Sequence, residues 1–138
     1  MSTHLKEKEE QILKVLEQLV EENRSGKPII VEGQKDAETL RNLGISGQII
    51  FAKKCGKSLL DVISEIEEAK TSEVIMLLDF DRRGRELTEK LGRHIEKAGI
   101  KANTHFWLKL QSLVGRELKD VEGLAKYMKT LKSKIGNS

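Results

Sequence analysis

The stretch VIMLLDFDRRGRELTEKLGRHI, residues 74–95, carries the decision about the fold. Val74 to Leu78 form an apolar run with no polar alternation, the pattern of a strand covered on both faces of a sheet. The run ends in Asp79 and Asp81 and passes directly into a segment with Leu87, Leu91 and Ile95 four residues apart, the spacing of one helix face. A buried strand that empties into a helix is half of a parallel crossover unit. Two acids at that junction call for an explanation of their own.

Working outward, the same alternation repeats. IIVEG after Pro28 predicts a first strand over 28–32, DAETLRNLG a short helix from an N-cap at Asp36 to Gly44, and GQIIFA a second strand. KSLLDVISEIEEAK predicts a helix with Leu59, Leu60, Ile63 and Ile66 facing inward, and the 74–78 run is the third strand. IKANTHFW predicts a fourth strand ending in Phe106 and Trp107, residues expected in the core or a subunit contact. DVEGLAKYMKTLKSKI predicts a last helix. Ahead of all these, residues 4–24 carry Leu5, Ile12, Leu13, Leu16, Leu19 and Val20 at helical spacing, an amphipathic helix that covers the sheet or a partner subunit. The expectation is an α/β fold with a four-stranded parallel sheet between helices, in the order 2-1-3-4, plus this extra N-terminal helix.

Bulk properties narrow the class of function. At 138 residues one domain is expected. With one cysteine, Cys55, the chain has no internal disulfide and no cysteine-based zinc site, and no apolar run approaches the length that spans a bilayer. A cytoplasmic protein without membrane contact is expected. Net charge is only +3, but residues 101–138 hold eight Lys or Arg against three acids. That region faces phosphates, or is simply a solvated helix face and tail.

In an open parallel sheet, ligands bind beyond the carboxyl ends of strands that flank a reversal of strand order. There the first strand ends in Glu32 and the third in Asp79 and Asp81. Three carboxylates brought together are unfavourable without a cation, which points to a hard divalent ion, Mg²⁺ first and Mn²⁺ as a substitute, held by Glu32, Asp79 and Asp81. Structural roles explain the same residues: an N-cap for Asp81, a turn for Asp79, an ion pair with Lys35 or Lys53 for Glu32. Gly33 and Gly84 allow tight turns or close approach of a ligand. Lys53, Lys54 and Lys57 follow the second strand and Arg82, Arg83 and Arg85 follow Asp81, all candidates for phosphate contact. The competing reading places the lysines in a solvated loop and pairs the arginines with Glu86 or Glu89. GKS at 56–58 is not a phosphate-binding P-loop, because Phe51 stands where that motif requires glycine.

IIVEGQKDAETLRNLG followed 47 residues on by IMLLDFDRRGREL resembles the Toprim domain, from about Pro28 to Trp107. That domain is shared by bacterial-type primases, type IA and II topoisomerases, OLD-family nucleases and small ribosomal-RNA-processing ribonucleases. The short chain is most similar to small stand-alone, primase-like Toprim proteins. The resemblance implies a core over 28–107 and a basic helical extension over 108–138. It implies that Glu32 is the general acid or base of phosphodiester chemistry and that Asp79 and Asp81 hold Mg²⁺; Asp36 falls where several relatives carry an acid. A topoisomerase is not expected, since Tyr127 is the one tyrosine and lies in a C-terminal helix, nor is a full primase, whose zinc-binding and polymerase parts do not fit. Two functions stay open: a Mg²⁺-dependent nuclease or RNA/DNA-processing enzyme, and a non-catalytic nucleic-acid-binding module, as a homodimer or within a replication or RNA-degradation complex. An aspartyl-phosphate enzyme is a third class, disfavoured because its Asp-x-Asp belongs on the first strand.

Overall fold

The computed structural model describes residues 3–136. Four strands form one parallel sheet: β1 (Ile29–Val31), β2 (Ile49–Phe51), β3 (Glu73–Met76) and β4 (Lys101–Asn103), in the order β2-β1-β3-β4. This is the expected order, so β1 and β3 are neighbours, with Ile29 opposite Ile75 and Ile30 opposite Met76. Among the described residues there are six helices: α1 (Thr3–Arg24), α2 (Gln34–Asn42), α3 (Leu59–Glu68), α4 (Arg82–Lys97), α5 (His105–Val114) and α6 (Leu124–Gly136).

The pleat divides the core in two. Ile29, Val31, Ile75 and Leu77 pack with α1, α2, α5 and α6 on one face. Ile30, Ile50, Val74, Met76 and Leu78 pack with α3 and α4 on the other. Each of these nine side chains is fully shielded from solvent, which explains the apolar runs without alternation. Burying one such side chain is worth about 1.5–3 kcal/mol.

Several local expectations are corrected. Leu13 and Leu60 point outward, at 45% and 74% exposure. The buried faces run through Ile12, Val15, Leu16 and Leu19 in α1 and through Leu59, Val62, Ile63 and Ile66 in α3, so each misplaced leucine lies one residue off the helix stripe. Asp36 is not the N-cap of α2; Gly33 is, and Asp36 sits at the third helical position, where its carboxylate accepts from Gly33 N–H at 3.1 Å. Phe106 and Trp107 do not end β4, which stops at Asn103. They open α5, whose buried Phe106, Trp107, Leu110 and Val114 follow helical spacing. Both aromatics lie in the core, as expected, and α5 runs across the 107/108 boundary. α1 packs against α5 and α6, and α6 also against α2, so the C-terminal helix is joined to the body of the protein.

Candidate functional site

β1 and β3 end side by side, and the site grows out of the last rungs between them. Ile75 N–H donates to the Pro28 carbonyl and Leu77 N–H to the Ile30 carbonyl, both at 2.8 Å. At the next rung the chain of β1 has turned, and the Glu32 carbonyl accepts from Lys53 N–H on the β2 side at 3.0 Å. The vacated place on the β3 side is taken by the Glu32 side chain, whose Oε2 accepts from Asp79 N–H at 2.9 Å. Its other oxygen pairs with the Lys53 ammonium at 2.8 Å. Glu32 is therefore buried and held from both neighbouring strands, at the point where strand order reverses.

Asp79 meets the opposite situation. Its Oδ1 is buried and has no hydrogen-bond partner. Burial first, then the Glu32 carboxylate, and then the charges of Asp36 and Asp120, push its carboxyl up to about 8, so it holds a proton at neutral pH. Burial also pushes Glu32 up, but the bonds from Lys53 and Asp79 outweigh it and leave that carboxyl below its ordinary range. The Lys53 ammonium is raised mainly by its bond to Glu32. Asp36 is raised by burial despite its two backbone donors, with Asp120 and Glu32 adding to the effect. Four acids thus crowd one sheet edge, balanced by one lysine.

Asp81 is used differently. Its Oδ1 accepts from Gly84 N–H at 2.8 Å and caps α4. Gly84 is fixed by packing, since a Cβ there would overlap the Asp79 carbonyl oxygen. Gly33 is less constrained: its φ of −149° is ordinary extended backbone, and a Cβ would meet nothing within 4 Å. Among the described residues no three acids, histidines or cysteines are arranged to hold a metal ion. The expected triad is in this structure a pair, Glu32 with Asp79, flanked by Asp81 as a cap.

The sequence matches the model of the Toprim domain over residues 27–109. This chain belongs to the Toprim family. It is 37% identical over 119 residues to a UPF0292 protein of Methanocaldococcus jannaschii, covering 86% of this chain and 91% of that one. It is 38% identical over 129 residues to a UPF0292 protein of Methanosarcina acetivorans, covering 94% and 88%. A solved structure of an Aquifex aeolicus protein superposes with a TM-score of 0.68 at 25% identity, covering 79% of this chain and 94% of that one. Membership points to metal-dependent, nucleic-acid-related function, and Toprim domains generally bind divalent ions such as Mg²⁺. Among the described residues no helix is long and apolar enough to cross a membrane.

The Toprim edge fits such an ion in part. Mg²⁺ is commonly held by one or two carboxylates and several waters, and Asp79 offers a buried oxygen without a partner beside the ionised Glu32. The candidate cations divide sharply. Lys53 is at the carboxylates, and Arg83 is near enough to Lys53 to oppose its charge. Arg82 is exposed and pairs with Glu86, the competing reading. Lys57 turns back, donating to the Phe51 carbonyl at 2.7 Å and pairing with Glu65 at 2.6 Å. Lys54 lines the outer side of the β2–α3 loop, and Arg85 faces a groove between α4 and α5.

Two contributors carried no local signal. The indole N–H of Trp107 donates to the Leu78 carbonyl at 2.9 Å and the Asp79 carbonyl at 3.3 Å, fixing the backbone beneath the acid. Residues 119–122 return over the edge: Phe80 N–H donates to the Lys119 carbonyl, Glu122 N–H to Asp36 Oδ1, and the Thr39 hydroxyl to the Glu122 carbonyl. That return brings Asp120 close enough to raise Asp79 and Asp36.

Proposed function

We propose that the protein is a Mg²⁺-dependent, nucleic-acid-binding Toprim protein that acts on phosphodiester bonds, as a nuclease or RNA/DNA-processing enzyme. The observation that carries this reading is Asp79: a carboxyl at the strand-order switch point with a buried oxygen that has no partner, its acidity weakened by burial and by the Glu32 carboxylate. A bound cation would satisfy that oxygen and, in place of the proton, relieve the repulsion among Glu32, Asp36, Asp79 and Asp120. Glu32 and Asp79 would hold the ion, with Asp81 adjoining them. When bound, the ion would neutralise charge developing on a phosphate oxygen.

The chain's own residues supply the rest. Glu32 would transfer the proton, from an attacking water or to the leaving oxygen, from its place between Lys53 and the Asp79 amide. Lys53, paired with Glu32, and Arg83, close to Lys53, would orient a phosphate. Gly84 and Trp107 keep the Asp79 backbone in place. The test is cleavage of matched DNA and RNA oligonucleotides under Mg²⁺ and Mn²⁺ titration, with Asp79→Asn and Glu32→Gln alongside. Metal-dependent cleavage that both substitutions abolish supports the enzyme; cleavage that survives them defeats it.

Three observations favour the second reading, a non-catalytic binding module. Glu32 is neutralised by Lys53, Asp81 is engaged as a cap, and three metal-arranged ligands are not present among the described residues. This reading predicts salt-sensitive nucleic-acid binding that persists in Asp79→Asn, without cleavage.

A further inference from the structure

A groove of about 630 Å³ runs between α4 and α5 alongside the edge strand β4. Its volume is that of a small-molecule site. The walls are mainly apolar, from Gly92, Ala102, Trp107 and Leu108, and Leu108 is 55% exposed. Arg85, Arg93 and Lys97 stand along the α4 side with Glu89 and Glu96, three cations against two acids; none of the three cations has an ion-pair partner among the described residues, whereas Arg82 one turn earlier does, and one Glu96 oxygen is turned to the Ala102 amide. From Arg85 to Lys97 the helix rises about 18 Å, the reach of a few nucleotides.

Two wall residues of the groove also touch the backbone that carries the carboxylate edge. Trp107 is both its wall and the donor to the Asp79 carbonyl, and Thr88, another wall residue, donates to the Gly84 carbonyl at 2.7 Å. An added peptide strand does not suit it, because the Ala102 amide at the β4 edge is already taken by Glu96 Oε1 at 3.1 Å. An apolar slot with unpaired cations along one wall fits a flat aromatic base whose phosphates stay in solvent against arginine and lysine.

We propose that this groove seats unstacked bases of a single-stranded nucleic acid, the adjoining phosphodiester lying over Glu32 and Asp79. The proposal rests on the functional reading above and adds to it a preference for single strands, because a base held in a duplex does not enter. Gly92 offers a clean probe: a Cβ there meets only the Ala102 Cβ at 3.8 Å, so a larger side chain grows into the groove rather than into the core.

The experiment measures binding of a labelled 12-nucleotide RNA and DNA, each as a single strand and as a duplex, to wild type, Gly92→Leu and Leu108→Glu. Melting temperature, the Mn²⁺-induced shift in melting and sedimentation are followed in parallel. The expected result is single-strand binding at least tenfold tighter than duplex binding. Gly92→Leu is expected to lose at least tenfold on single strands, with melting and Mn²⁺ response retained; Leu108→Glu, at an exposed position, guards against a folding defect and is expected to lose a similar factor. Equal affinity for duplex, or unchanged single-strand binding in both variants, overturns the proposal while leaving the metal site standing. A change in sedimentation without a change in binding also overturns it, since the groove then receives another protein chain. No nucleic-acid binding by wild type defeats the functional reading itself.

Discussion

Two loops leave the same sheet edge, and they differ in what they assemble. At the β1–β3 edge, Glu32 and Asp79 arrive from adjacent strands, the first buried and the second half-buried, and hold each other in an arrangement with one carboxyl raised and one lowered. At the β2–α3 loop, Lys53, Lys54 and Lys57 lie close in sequence yet do different things: Lys53 pairs with Glu32, Lys54 faces outward, and Lys57 is bound to Phe51 and Glu65. Adjacency of strands in the sheet gathers side chains into a site. Adjacency in sequence within an exposed loop does not.

The largest effect should come from the acid that defines the first region. On the proposed function, Asp79→Asn is expected to reduce metal-dependent cleavage at least 100-fold, since it would remove a negative ligand while keeping the shape. Oligonucleotide cleavage at saturating Mg²⁺ checks this. Gly84→Val forces a side chain against the Asp79 carbonyl and is expected to destabilise the fold by about 3 kcal/mol, read by urea unfolding. If Gly84→Val is neutral, the edge is not rigidly packed and the contrast with the loop weakens.

Thr39→Val tests the segment that returns over the edge. It leaves the Glu122 carbonyl without its donor and is expected to cost about 1 kcal/mol. Protection of residues 119–122 from hydrogen exchange should fall along with it. The smallest effect belongs to the loop: Lys57→Met should cost no more than about 1 kcal/mol in unfolding, as expected of a partly exposed ion pair, and leave nucleic-acid affinity unchanged. Lys53→Met, by contrast, should weaken nucleic-acid binding and bring the Glu32 carboxyl back upward. Equal effects of the two lysines would erase the distinction drawn here.

Much of this was legible in the sequence, because the informative features were periodic. Apolar runs at 28–32 and 74–78 placed two buried strands, helical spacing between them required a crossover, and the reversal of strand order brought Glu32 to Asp79. The structural roles weighed beside the chemical ones also hold: Glu32 pairs with Lys53, Arg82 with Glu86, and Asp81 caps a helix. What escaped the sequence was long-range. Asp36 and Thr39 bond a segment 86 and 83 residues away, and no local pattern announces such a return. Trp107 was misplaced for another reason. β4 is only three residues long, so the aromatic pair after it resembled a strand end, while the helical spacing of Phe106, Leu110 and Val114 was the better guide.

On the proposed function, Asp79 keeps a proton until a cation replaces it. Its folded value of about 8 lies above the ordinary aspartate value of 3.8, so the folded state binds the extra proton and metal-free stability falls as pH rises through that window. Metal binding must expel the proton below pH 8 and need not above it. Titration calorimetry with Mn²⁺ in buffers of different ionisation enthalpy counts that proton directly. The account predicts close to one proton released per ion at pH 7, falling toward zero by pH 9, and none in Asp79→Asn. Ion binding at pH 7 without proton release, or release that persists in Asp79→Asn, would contradict it.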